Sequence, residues 1–422
     1  MEIDDTIAQH VLEHAPCYVY DRQEIVARCR ELKAALPGVE LLFSVKANPF
    51  EPVVATVVGE GLGVDAASAA EVLLARRLGV PPARILYSAP GKTDADLDTV
   101  WGECVLVADS LTELTRIDRR AAAAGTVAHV GLRVNPAFGI DSQEVEDKKE
   151  KEGRTVQPSH FGIDESALEE LPSETLTHVV ISGLHVHVRS QVLDTEALTR
   201  YHANCVALAE RLAARPGVAL RFVNVGSGFG IAYARTRQHP LDLTRLAQST
   251  AALAARVCNT LGATLYAETG RFVVCAVGTF YTPVVDRKTS AGRTLLVVAS
   301  ALAGFLRPAI AALLCRASAP HGAPSCGFEP LFTCPDECSL SLVRRHHSNT
   351  CKEDDEENDQ WETVDVVGNL CTALDVLQEG VHLPHAEVGD VIAVSNAGAY
   401  GYTLSPLGFS SHTHPGQYMW PP

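Results

Sequence analysis

The sequence predicts an α/β chain in two parts: a closed (β/α)8 barrel of the TIM type, then a C-terminal β domain. Three observations carry that prediction. Eight short apolar runs, near residues 39–46, 62–66, 84–89, 104–108, 127–134, 179–188, 220–225 and 264–268, alternate with longer helical stretches. Eight such units close a barrel more naturally than they extend an open doubly wound sheet. Beyond Arg271 the texture changes to strand-like segments with few long helical stripes. A chain of 422 residues also exceeds what one core usually serves.

Taken in order, the barrel is expected over 22–271. Its helices show the right period; Leu246, Leu253, Val257 and Leu261 line one stripe. The β domain is expected over 272–422, with strands near 272–282, 294–299, 364–368 and 390–395. Residues 1–21 are expected to join it through the strand-like Cys17-Tyr18-Val19-Tyr20. Two stretches interrupt the pattern. Residues 143–155 form a charged loop inside the barrel, and 316–360, rich in Pro, Cys and charge, read as a flexible surface insertion.

The balance of 51 acidic against 35 basic residues gives a net charge of −16. So acidic a surface repels nucleic acid and anionic lipid, which excludes both as partners. No charged n-region precedes an apolar stretch, and the most apolar run, 294–306, is too short to span a bilayer. With 12 cysteines and no secretory signal, a cytoplasmic chain with free thiols is expected. Cys315, Cys326, Cys334, Cys338 and Cys351 crowd one segment, with His346 and His347 nearby, but their spacing matches no zinc-ligand pattern. No metal is expected there, nor at His412 and His414.

Active sites of such barrels gather at the C-terminal ends of the strands. The first run ends in Phe43-Ser44-Val45-Lys46-Ala47-Asn48-Pro49, which points Lys46 into the barrel mouth; desolvation there would ready its amine for attack on a carbonyl. The sixth carries His185 and His187, two apart and so on one face: one can stack on a planar ligand while the other bonds in the wall. The seventh opens into Asn224-Val225-Gly226-Ser227-Gly228-Phe229-Gly230, whose glycines let backbone N–H groups approach a phosphate. The eighth ends in Glu268-Thr269-Gly270-Arg271. Its carboxylate and guanidinium suit a ring N–H⁺ and a phosphate of one ligand, or else form a structural ion pair at the rim.

Together these residues resemble the fold-type III decarboxylases that use pyridoxal 5′-phosphate (PLP), the diaminopimelate and ornithine decarboxylase group. The matching segments run from Phe43-to-Pro49 through Gly63-Val64-Asp65-Ala66-Ala67-Ser68 with Glu71, Ser159-to-Ile163, His185-to-Gln191, Gly226-to-Gly230 and Glu268-to-Arg271. In the β domain they are Val367-Gly368-Asn369-Leu370-Cys371 with Asp375, Gly389-Asp390 and Ala397-Gly398-Ala399-Tyr400-Gly401. The resemblance implies a barrel of the alanine-racemase-like type, PLP as cofactor and loss of the α-carboxylate from an amino acid. It also implies roles. Lys46 carries the cofactor, His187 stacks on its ring and Glu268 faces the ring nitrogen. Ser190, Gly226, Ser227, Gly228, Phe229, Gly230, Thr269, Gly270, Arg271 and Tyr400 surround the phosphate. Asp65 and Arg133 support the ring. Cys371 returns a proton to Cα, and Asp375 helps bind the substrate amine, both from the partner subunit of a head-to-tail homodimer.

Departures from the family pattern bear on substrate. Cys371-Thr372-Ala373 stands where diaminopimelate decarboxylases have Cys-Glu-Ser, so the glutamate for a distal amino-acid centre is missing and Thr372 faces the substrate instead. Thr269 replaces a proline, Ser227 a glycine and Arg189 another glycine. The acids usual near 298–301 are absent, leaving Arg307 as the expected carboxylate anchor. Residues 187–191, 371–372 and 402–406 look like decarboxylases of siderophore and other natural-product pathways, which act on amino acids already coupled to a larger acid. The rival expectations are a housekeeping decarboxylase for diaminopimelate, ornithine, lysine or arginine, a racemase, and an inactive regulatory homologue.

Overall fold

The computed structural model describes residues 5–140, 159–171, 176–233, 238–318, 338–345 and 360–422. It divides into two compact units: Val26–Ala232 with His239–Gly270, and Met1–Ile25 with Tyr233–Gln238 and Arg271–Pro422. The charged loop expected at 143–155 lies outside the described residues.

Strand β1 (Cys17–Asp21) belongs to the second unit. The first contains β2 (Val39–Ser44), β3 (Gly63–Ala66), β4 (Ile85–Tyr87), β5 (Val105–Ala108), β6 (Ala128–Asn135), β7 (Ile163–Asp164), β8 (Val179–His185), β9 (Val218–Asn224) and β10 (Thr264–Thr269). Strands β2-β3-β4-β5-β6-β8-β9-β10 pair in that order, and β10 pairs back onto β2, so eight parallel strands close. The two-residue β7 only flanks the end of β6. All eight apolar runs are barrel strands.

Side chains fill the interior. Leu42, Leu86, Val107 and Phe222 form one buried cluster, flanked by Val105 and Tyr266. Phe222 fits because two neighbouring strands carry glycine: a Cβ on Gly183 would lie 2.0 Å from the ring, and one on Gly131 2.8 Å. Several helices begin on a side-chain cap. Ser68 accepts from Glu71 N, Ser110 from Glu113 N, Asp194 from Glu196 N and Ala197 N, and Asp242 from Arg245 N. Each cap stabilises its helix by about 1 kcal/mol. In the helix Leu243–Leu261 the stripe is buried at Leu246, Leu253 and Val257. Lys92 is almost fully buried, its Nζ bonded to Glu113 Oε1 (2.7 Å) and to the carbonyls of Ala89 (2.8 Å) and Val107 (2.7 Å).

The second unit is a sheet built around a long strand, β11 (Gly278–Ser290). Its first half pairs antiparallel with β1, and its second half, beyond an irregularity at Val284/Asp286, with β12 (Arg293–Val298). The order is β13-β16-β11-β12-β14-β15, where β13 is Leu340–Val343, β14 Trp361–Val367, β15 Val376–Pro384 and β16 Val391–Val394; β17 (Gly416–Trp420) adds parallel to β1. Three expectations need correction. Residues 271–274 form a helical turn, closed by Cys275 N donating to Arg271 O (2.9 Å), and the strand begins only at Gly278. A helix, Leu306–Ser318, follows the apolar run, its Pro308 tolerated in the first turn, where N–H groups lack helical partners anyway. Within the expected insertion, β13 is part of the sheet, paired with β16 and burying Val343, and Cys338 just before it is buried too. Cys326, Cys334, His346, His347 and Cys351 lie outside the described residues. Among the described residues no helix is long and apolar enough to cross a membrane.

Candidate active site

Strand register assembles the site in the barrel unit. Ser44, two residues before Lys46, pairs with Asp65; Thr269, after Glu268, pairs with Phe43; Arg133 pairs with His185, and His185 with Asn224. The parallel strands thus deliver Lys46, Asp65, Arg133, His185, Asn224 and Glu268 to one end of the barrel.

Glu268 is its electrostatic centre. The carboxylate is buried, yet Oε1 lies 3.0 Å from His185 Nε2 and accepts from Asn224 Nδ2 at 2.8 Å. Both contacts fall on Oε1, and Oε2 has no hydrogen-bond partner among the described residues. Burial works against the charge, but His185 foremost, with His187 and Lys46 after it, holds the carboxyl well below the usual carboxylate range. Burial and the nearby Glu268 push Asp65 upward, while Ser88 Oγ donates to its Oδ1 at 2.6 Å. Of these two carboxyls Glu268 keeps the charge.

His187 is half-buried, and its Nδ1 accepts from Ser227 N at 3.2 Å, which leaves the ring proton on Nε2. Burial pushes its pKa down to about 3 against the pull of Glu268, so the ring is neutral at pH 7. His185 is the partner in the wall. Arg133 donates to Ser88 O (3.1 Å), lies 3.8 Å from Asp109 Oδ1 and stacks 4.4 Å above the Phe161 ring. Lys46 is exposed rather than desolvated, in a short helical turn within the field of Asp65, Glu71 and Glu268. The burial expected to activate it is therefore not what surrounds it; neighbouring carboxylates do.

The glycine-rich turn divides into used and open donors. Gly226 N is bound by Asn224 Oδ1 (2.9 Å), Ser227 N by His187, and Gly230 N by Val192 O (3.1 Å). The N–H groups of Gly228 and Phe229 and the Ser190 hydroxyl have no partner among the described residues. A Cβ at Gly226, where φ is +73°, would lie 2.5 Å from Val186 O, and one at Gly230 2.8 Å from Val192 O. Thr269 and Gly270 are buried at the end of β10, and a Cβ on Gly270 would lie 2.9 Å from Ala47 Cβ.

In the sheet unit Arg271 donates to the Tyr233 hydroxyl and stacks on the rings of Tyr233 (5.7 Å) and Tyr400 (5.2 Å). Arg307, expected to anchor a carboxylate, is fully buried: it donates to Asn396 O (2.6 Å) and the Tyr233 hydroxyl (3.4 Å), and so braces the wall. Asp375, expected near a substrate amine, is likewise turned inward. Its Oδ1 accepts from Leu302 N and its Oδ2 from Leu370 N, both at 2.7 Å. It folds the loop that leaves Cys371 exposed and Thr372 half-exposed. Sequence reasoning missed Asn224, Ser88 and Tyr233. Only Asn224 had a local signal, an Asn two residues before a glycine, the pattern of an Asx turn.

Two family models match the chain. Residues 22–275 match the pyridoxal binding domain of pyridoxal-dependent decarboxylases, and residues 336–398 their C-terminal sheet domain. The chain belongs to the pyridoxal-dependent decarboxylase family. It is 28% identical over 407 residues to an L-glutamyl-[BtrI acyl-carrier protein] decarboxylase of Niallia circulans, covering 95% of this chain and 87% of that one. It is 30% identical over 399 residues to a diaminopimelate decarboxylase of Pseudomonas aeruginosa, covering 92% and 84%. Among solved structures, a diaminopimelate decarboxylase of M. jannaschii superposes with a TM-score of 0.78 at 21% identity, covering 99% of this chain and 92% of that one. A lysine/ornithine decarboxylase of Vibrio vulnificus gives 0.74 at 20%, covering 100% and 99%. These two share the fold.

The family's cofactor is PLP, and the residues present fit it. Glu268 offers an anionic oxygen for a protonated ring nitrogen, His187 a neutral ring, and Ser190, Gly228 and Phe229 open donors for a phosphate. The chain is a PLP-dependent carboxy-lyase.

Proposed function

We propose that this decarboxylase removes the α-carboxylate from an amino acid already joined to a larger acid or carrier, in siderophore or other secondary metabolism, and that it works in the cytoplasm as a homodimer with shared sites. One observation carries the reading. The loop 369–374, which exposes Cys371, contains no acidic side chain, and the carboxylate that follows it, Asp375, is consumed by backbone N–H groups. Within this loop no carboxylate is left to receive the second ammonium of diaminopimelate. The Niallia circulans relative, named for a carrier-bound glutamyl group, supports the same direction.

Bound PLP supplies an electron sink for the pair left on Cα as CO2 departs. Lys46 would hold the cofactor covalently and yield it to the substrate amine. His187 would lie against the ring, its neutrality avoiding repulsion of a ring proton. Glu268 would keep that proton on the ring nitrogen through Oε2. Asp65 and Arg133 would flank the ring. Ser190, the turn from Gly226 to Gly230 with Thr269 and Gly270, and Arg271 with Tyr400 would bind the phosphate. Cys371, from the partner subunit, would deliver a proton to Cα, with Thr372 beside the substrate's distal group.

The test is CO2 release from the PLP-loaded enzyme, comparing a glutamyl thioester of pantetheine and amino acids amide-linked to citrate with free diaminopimelate, ornithine, lysine and arginine. A conjugate should exceed every free amino acid of that set in kcat/KM by about 100-fold, the size of discrimination shown by a pocket that lacks a partner for an added polar group. Preference for free diaminopimelate would replace this reading with the housekeeping one.

A further inference from the structure

Gln191 closes the segment 187–191, yet none of the roles above uses it. Its backbone is left-handed, with φ +60°, a conformation glycine adopts more readily. Its side chain accounts for a larger residue there. Oε1 accepts from Ile231 N at 3.1 Å while Nε2 donates to Ile231 O at 2.7 Å, so one amide satisfies both polar groups of a single backbone residue. On the near side of that pair, Val192 N donates to Gly228 O (2.8 Å) and Gly230 N to Val192 O (3.1 Å). The fit is close: a Cβ on Gly230 would lie 3.0 Å from the Gln191 carbonyl carbon. The loop after β8 and the turn after β9 are thereby joined as one body. That body carries Ser190 on one side and the open N–H groups of Gly228 and Phe229 on the other.

We propose that Gln191 is a positioning residue for phosphate recognition, its amide fixing the Ser190 loop to the glycine turn so that their donors form one preorganised anion cup. This rests on the assignment of those donors to the PLP phosphate. A loop pair without the staple must order on binding, and that cost falls on ligands that use the cup. Ring recognition by Glu268 and His187 does not depend on Gln191 directly.

Gln191→Gly relieves the backbone while removing both side-chain bonds, and Gln191→Glu keeps an acceptor for Ile231 N but loses the donor to Ile231 O. Full-length wild type and both variants, stripped of cofactor, are titrated with PLP and with pyridoxal, which lacks the phosphate; binding is read from ligand absorbance and apo stability from thermal melting. The expected result is that both variants melt close to wild type, that the PLP dissociation constant rises at least tenfold, and that pyridoxal binding changes less than threefold. PLP binding unchanged, or PLP and pyridoxal weakened equally, would overturn the role of Gln191 while leaving the decarboxylase reading intact. If wild type shows no preference for PLP over pyridoxal, the phosphate assignment itself fails and takes this inference with it. Should Gln191→Gly not fold, Gln191→Glu alone makes the same comparison.

Discussion

The Glu268 carboxylate keeps its charge in a nearly closed environment chiefly because His185 Nε2 lies 3.0 Å from its Oε1, the oxygen to which Asn224 also donates. Glu268→Gln should therefore lower kcat by about 100-fold, the scale on which a preorganised charge partner acts, with the far-UV spectrum unchanged. His202 makes a different residue-scale point. Both ring nitrogens are buried without a hydrogen-bond partner among the described residues, and burial pushes its pKa down to about 4 from an ordinary 6.5. The unfolded chain then binds the extra proton first, so stability is full above about pH 6.5 and falls as pH drops toward 4, by up to about 3 kcal/mol. Denaturant titrations across that window should show a shallower acid slope for His202→Leu; an unchanged slope would remove His202 as the cause. At this scale the strand ends singled out Lys46, the pair His185 and His187, and Glu268 as candidates; the choice of His187 over His185 and the three roles came from the family resemblance. It could not give the inward turn of Asp375 or the burial of Arg307, because both depend on contacts with segments distant in the chain: Leu302 for one, Asn396 for the other.

Among the elements, the loop bearing Cys371 shows how a carboxylate becomes scaffold. Asp375 receives two backbone N–H groups, and Gly368 beneath it has no room for a Cβ, which would lie 2.1 Å from Oδ2. Asp375→Ala should loosen the loop, seen as a change in the rate at which iodoacetamide modifies Cys371, and should cost about 2 kcal/mol of stability through one buried and one part-buried N–H group left unbonded. An unchanged alkylation rate would mean that the loop is held by something else. The barrel strands were legible because parallel strands buried on both faces read as continuous apolar runs between helical stripes. The sheet unit was less so. The strand expected from 272 begins at Gly278, and the strand at Leu340–Val343 sits inside a stretch whose composition reads as an insertion. Strand pairing here joins β13 to β16 across about fifty residues, a partner that no local pattern announces.

For the whole molecule, the proposed sharing of sites between subunits has a direct consequence. Lys46→Ala and Cys371→Ala chains, each of low activity alone, should regain about one quarter of wild-type activity when mixed and allowed to exchange, since half the dimers would be hybrids with one intact site. No recovery in an exchanging mixture would place Cys371 in the same chain's site or outside it. The most direct measurement is a peptide map of the PLP-loaded protein after borohydride reduction. A single reduced PLP adduct, on the peptide containing Lys46, is the expected result; an adduct on another lysine, or none after reconstitution, would contradict the assignment of this barrel end as the catalytic centre.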